Sequence, residues 1–192
     1  MGLRAWSADR WEDAGRWAGE GRSWPPRALL LLVLAYFGWR HLADPEYGSL
    51  FSGITLGVHE LGHLLFAPLG HWMGMAGGSL TQVLAPVALA WGFLRQRDYY
   101  AITVAGTWEG MSLSNLATYV ADARAQELPL VSPFGGDPEH DWNYLLSSVG
   151  MLRHDTQLAG WVRLAAFLTL AASLAFGAWL CVRMARHRPA GA

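Results

Sequence analysis

Long apolar runs alternate with short polar breaks along this chain, and the lengths of the runs decide what they can build. Residues 61–94 contain no Asp, Glu or Arg, and residues 164–182 form a second uncharged run. A helix that crosses a bilayer needs roughly 20 mostly apolar residues. The first run can therefore hold more than one crossing, and the second can hold one. A shorter run, ALLLLVLAYFGW (28–39), lies between Arg27 and Arg40. It spans only if both arginines snorkel to the headgroups.

The punctuation between the runs sets the elements. Pro25 and Pro26 open a first helix from Arg27 to Leu42. The DPEYG turn (44–48) leads into a second, from Glu46 to Leu69. GHWMGMAGG (70–78) is too rich in glycine for an ordinary helix and predicts a hairpin or re-entrant segment. A third helix follows from Ser79 to Leu94, kinked at Pro86, and a fourth from Tyr99 to Ala123 after the polar turn RQRD. The polar stretch 124–156 holds a short helix from Pro138 to Met151, with Asp137 as its cap. A fifth long helix runs from Gln157 to Met184.

The expected fold is all-α: a polytopic membrane helical bundle of about five spanning helices, with the glycine-rich segment after the second. Residues 25–184 form the membrane domain, 1–24 a polar tail that is mobile or interfacial, and 185–192 a basic C-terminal tail. Five crossings place the N-terminus, residues 70–78 and the 124–156 stretch on one side. The C-terminal arginines favour the cytoplasm for that end.

Composition supports the membrane reading. Hydrophobic residues make up 53% and charged residues only 15%, too few for a soluble domain of 192 residues. The formal net charge of −1 gives no electrostatic footprint for nucleic acid, so the expected surroundings are membrane lipid. Trp24, Trp39, Trp72, Trp91 and Trp179 lie near the ends of apolar runs, where indole rings sit at the bilayer interface. Cys181, the single cysteine, excludes an internal disulfide and any multi-cysteine zinc site. It reads as a small buried hydrophobe.

One hexapeptide breaks the apolar pattern of the second helix: VHELGH (58–63). On a helix, His59 and His63 are four residues apart and share a face, so both imidazoles can reach one tetrahedral ion. Glu60 lies about 100° round the helix axis, close enough to touch water on that ion without binding the ion itself. Zinc lowers the pKa of such a water toward about 7, and a nearby glutamate can take its proton and later return it to a leaving amine. Ionisable groups inside a spanning segment need partners to offset desolvation, which makes this cluster a functional candidate. Ser49, Gly53 and Gly57 form a stripe of small residues on the same helix, expected to pack against a neighbour or, running toward Glu60, to leave room for a substrate backbone.

The third ligand must come from elsewhere. His140 in EHDW (139–142) is the preferred candidate, because Asp137 already supplies the cap there. Asp141, Asp122 and Asp155 are alternatives, Asp155 being expected as a cap for the last helix. Asn115, Tyr119 and Asp122 share one face of the fourth helix. Glu109 is expected to pair with an arginine. Gln82 is open between holding an extended substrate and packing between helices. His41, His71 and His154 read as structural or surface residues.

His59-Glu60-x-x-His63 on a membrane helix, followed by a glycine-rich segment and further spans, resembles the site-2 protease class of intramembrane zinc metalloproteases. GGSLTQ (77–82) and HDW (140–142) also resemble segments of small bacterial membrane proteins. The first resemblance implies that His59 and His63 bind zinc, that Glu60 is the general base, and that an aspartate from a later helix completes the site. In that class the aspartate usually stands in L-D-G or N-P-D-G, and this sequence has neither. The implied protein is a zinc-dependent endopeptidase of a bacterial inner membrane, acting on a membrane protein or membrane-associated peptide. The competing readings are a histidine-box oxidoreductase of the desaturase or hydroxylase type and a non-catalytic metal-binding membrane protein. Histidine-box sites use about eight histidines, against seven scattered ones here.

Overall fold

The computed structural model describes residues 3–130 and 139–187. Every regular element among them is helical: α1 (Leu3–Gly19), α2 (Pro25–Ala43), α3 (Leu50–Phe66), α4 (His71–Gln96), α5 (Tyr99–Ala121), α6 (Asp141–Ser148) and α7 (Asp155–Arg186). The fold is all-α, as the hydrophobic pattern predicts. Helix α5 is the centre, packed by α7, α4 and α2, while α3 packs mainly on α4.

Hydroxylated residues join the apolar core, and many large apolar side chains face outward. Thr103, Thr107, Ser112 and Ser114 of α5 are buried. Leu32 and Trp39 of α2, Leu64 and Leu65 of α3, Trp91 of α4, and Phe167 and Leu168 of α7 face outward. Small and hydroxylated residues at helix contacts with leucine outside are what an apolar solvent selects. Three segments are long and apolar enough to cross a membrane: Leu50–Leu69, His71–Gln96 and Leu152–Arg186. The other two expected crossings, α2 and α5, have the length but are less apolar. Arginines bracket α2, and α5 carries Glu109 among many hydroxyls.

Helices α3 and α4 form a hairpin. Its corner is a 3₁₀ turn, Ala67–Leu69, followed by Gly70 at φ +101°, a conformation open to glycine. Beyond Gly70 the segment 70–78 is neither the expected hairpin turn nor a re-entrant segment, because His71 already begins α4. Its glycines let two helices touch. A Cβ on Gly62 would collide with the Gly77 carbonyl, and one on Gly77 would stand 2.6 Å from the Phe66 Cβ. Close approach of α3 and α4 offsets the low helix propensity of glycine. Gly53 and Gly57 behave differently. They meet nothing within 4 Å, so the expected packing stripe is open surface.

The N-terminal segment, expected as a mobile or interfacial tail, forms α1 and packs. Ala14, Trp17 and Ala18 are buried beside Tyr99, Tyr100, Leu180 and Met184. Trp11 meets Phe176 and Trp179 of α7 edge-on. Asp13 accepts from the Tyr99 hydroxyl and pairs with Arg97 at the α4–α5 turn. Helix α1 therefore sits at the end where α5 begins, together with the end of α7. Arg124 and Asp155 pair at the other end. Helix α1 and the described parts of the 124–156 stretch, 124–130 and 139–156, lie at opposite ends of the bundle, against the sidedness expected from five crossings.

Candidate metal centre

His59 and His63 stand one turn apart in α3 with ring centroids 4.8 Å apart. Their Nε2 atoms converge on one oxygen. Asp141 Oδ2 lies 3.0 Å from Nε2 of His59 and 3.2 Å from Nε2 of His63. Ligand atoms of the three residues all fall within 4.8 Å of one another, and the group can hold a metal ion.

Asp141 reaches this place because α6 is docked by four hydrogen bonds. Its own backbone N–H donates to the Tyr119 hydroxyl at 3.1 Å. The Trp142 indole donates to Ser79 Oγ at 3.1 Å, and the Trp72 indole to Ser148 Oγ at 3.0 Å. Asn143 Nδ2 donates to the Ala123 carbonyl at 2.8 Å. Burial alone would raise the Asp141 carboxyl, but the His59 and His63 rings more than reverse this. It is held below the ordinary carboxylate range and is charged at neutral pH.

The chemistry of the donors fits a cation. Nδ1 of His63 lies 2.8 Å from the Gly74 carbonyl, which can only accept. In the neutral ring the proton is therefore on Nδ1, and a lone pair on Nε2 faces the Asp141 carboxylate. Two acceptors at 3.2 Å repel unless positive charge, a ring proton or a metal ion, lies between them. Anchoring one ring N–H on an acceptor while the other nitrogen binds is the usual arrangement of a metal-ligating histidine. Space is reserved as well. A Cβ on Gly78 would lie 2.6 Å from Nε2 of each histidine, so any larger residue would fill the position.

Glu60 is partly exposed and lines a cavity of about 1360 Å³, shared with His59, His63, Gln82, Tyr119 and Asp141. It makes no hydrogen bond or ion pair among the described residues. Trp108 closes one side of α3 by donating to Thr55 Oγ1 at 2.9 Å.

The remaining candidates lie as follows. His140, the preferred third ligand on sequence, turns away from the histidine pair. It is the N-cap of α6, with Nδ1 accepting from the Asn143 N–H at 3.3 Å. It stacks on Tyr119, and its Nε2 stands 3.3 Å from Asp122 Oδ2 without the alignment of a hydrogen bond. The short helix starts later than the Asp137-Pro138 signature suggested, which gives His140 the capping role; Asp137 and Pro138 lie outside the described residues. Asp122 accepts from the backbone of Glu127 and Leu128 at 2.9 and 3.1 Å. Asp155 pairs with Arg124 at 2.7 Å and opens α7. Neither reaches the histidines.

Glu109 is buried with Oε2 unpartnered, so no arginine neutralises it among the described residues. His41 is buried between Asn115 Oδ1 and Ser49 Oγ, at 3.1 and 2.9 Å. His71 meets Glu139 at 3.3 Å, and His154 meets Gln157 at 2.9 Å. Gln82 proves to be a partner of His59, its Oε1 lying 2.9 Å from Nδ1. Sequence reasoning missed Gly74, Gly78 and the Trp142–Ser79 link. The clustering of two histidines, GGSLTQ and HDW as the polar interruptions of an apolar chain was the available signal.

Comparison of the chain with protein-family models, with curated proteins and with solved structures finds no match.

Proposed function

We propose that this protein is a zinc-dependent endopeptidase embedded in a membrane, hydrolysing a peptide bond at or within the bilayer. The observation that carries the reading is an unpaired Glu60 on the cavity wall beside a His59–His63–Asp141 donor set. Two imidazoles and one carboxylate are the ligand types of catalytic zinc sites, which keep a further position open. Zinc, when bound, supplies Lewis acidity toward water and toward the scissile carbonyl. His59, His63 and Asp141 would hold it. Glu60 takes a proton from the attacking water and delivers it to the leaving amine. Tyr119, which accepts the Asp141 backbone N–H, keeps the carboxylate ligand in place.

The cavity suits a peptide. Leu56, Met75 and Leu116 give it an apolar wall, while Asn115 and Thr118 offer hydrogen bonds to an extended backbone. The substrate in this reading is a membrane protein or membrane-associated peptide with a locally unwound segment, because a regular helix hides its carbonyls. Helices α2 and α5 belong to the membrane-embedded body in the same reading. The first faces Leu29, Leu32 and Trp39 outward, and the second is enclosed by its neighbours. On the resemblance to bacterial proteins, the membrane is a bacterial inner membrane.

The test is a pair of measurements on purified protein in detergent with an unstructured or transmembrane peptide substrate. Glu60→Gln should retain zinc and lose cleavage. Cleavage by Glu60→Gln at the wild-type rate would contradict the reading.

A further inference from the structure

We infer that Gln82, Ser112 and Pro86 are a positioning device for His59: together they dictate which imidazole nitrogen is free to bind. This rests on the metal centre proposed above and adds to it.

The device begins with a missing donor. Pro86 lies inside α4 and has no N–H, so the Gln82 carbonyl four residues earlier lacks its usual i+4 donor. Ser112 of α5 supplies one, its Oγ donating to that carbonyl at 3.2 Å. In return, Nε2 of the Gln82 side chain donates to the Ser112 backbone carbonyl at 2.9 Å. Both residues are buried, so neither bond competes with water.

This exchange fixes the Gln82 amide. A backbone carbonyl only accepts, so the amide must turn its NH₂ to Ser112 and its Oε1 the other way. On that other side is Nδ1 of His59, at 2.9 Å. Oε1 also only accepts, so Nδ1 carries a proton, and in the neutral ring, the form that binds a metal, Nε2 is left bare. Nε2 is the atom aimed at Asp141 Oδ2. With the amide reversed, NH₂ would face Nδ1, the proton would move to Nε2, and the ligand position would be blocked. Ser112 decides between the two. Gln82 touches no reacting atom and acts only through His59.

Zinc affinity of the purified full-length protein, measured by chelator competition, tests this in wild type, Gln82→Leu, Gln82→Glu and Pro86→Ala. Gln82→Leu should bind zinc roughly 10–100-fold more weakly, the usual cost of losing a partner of a ligating histidine. Gln82→Glu keeps an acceptor for Nδ1 and should recover most of the loss. Pro86→Ala restores an N–H that draws the Gln82 carbonyl away from Ser112. It should weaken zinc several-fold while its melting temperature stays equal or rises, since alanine favours the helix. A merely structural role would instead lower melting temperature and affinity together, without rescue by glutamate. Wild type that binds zinc alongside a Gln82→Leu that binds it as tightly would overturn this proposal alone. If Gln82→Leu does not fold, undiminished zinc affinity in Pro86→Ala overturns it. Wild type without zinc would overturn the metal centre and this proposal with it.

Discussion

Trp142 donates its indole N–H to Ser79 Oγ at 3.1 Å, and this bond ties the helix that carries Asp141 to the helix that faces both histidines. The third member of the donor set thus depends on docking between elements more than 60 residues apart in the chain. Trp142→Phe keeps the ring and removes the donor. A hydrogen bond of this kind contributes about 1 kcal/mol, so metal affinity should fall roughly fivefold with little change in overall helix content. Competition with a chelator beside circular dichroism checks both halves.

Gly78 gives a sharper prediction. Its missing side chain leaves the space beside the two Nε2 atoms open, and Gly78→Ala places a methyl group 2.6 Å from each nitrogen. Alanine is also the better helix former, by about 1 kcal/mol. Gly78→Ala should therefore lose metal binding without losing the helix. Metal content beside a thermal melt would show it.

Glu60→Gln should leave metal content unchanged, since Glu60 is not among the converging ligands. General-base catalysis contributes about 10²–10⁴-fold, and cleavage should fall by that factor. Parallel loss of metal would instead place Glu60 among the ligands.

A fourth prediction concerns the far end of the bundle. The Tyr99 hydroxyl, with Arg16 and Arg97, holds the Asp13 carboxyl below its ordinary value. A carboxyl depressed in the folded state stabilises above its unfolded pKa of about 3.9, and that contribution is lost as pH falls through the folded value. Asp13→Asn should thus lower the melting temperature at pH 7. The gap from wild type should close below about pH 4.

What was legible in the sequence was what is local. His59, Glu60 and His63 lie within one and a half turns of one helix, so their spacing alone put the two histidines on one face with Glu60 beside them. The apolar runs gave α3, α4 and α7 for the same reason. Third-ligand placement was not local. It turned on where a short helix begins, and the capping role that sequence gave to Asp137 belongs, in the described residues, to His140. The shift of a few residues aims Asp141, rather than His140, at the histidines. Glycine misled in one place and was informative in another. The four glycines of 70–78 read as a loop, because propensity penalises glycine in helices. Here Gly77 and Gly78 buy contact with α3 instead, a tertiary gain that no local scale contains. Gly53 and Gly57, read as a packing stripe, would meet nothing within 4 Å of an added Cβ among the described residues.

The central claim is tested most directly by metal content per chain in purified wild type, His59→Ala, His63→Ala, Asp141→Asn and His140→Ala. The account predicts a single equivalent in wild type and in His140→Ala, and none in the other three. A wild type devoid of metal, or a His140→Ala that loses it while Asp141→Asn keeps it, would contradict the account.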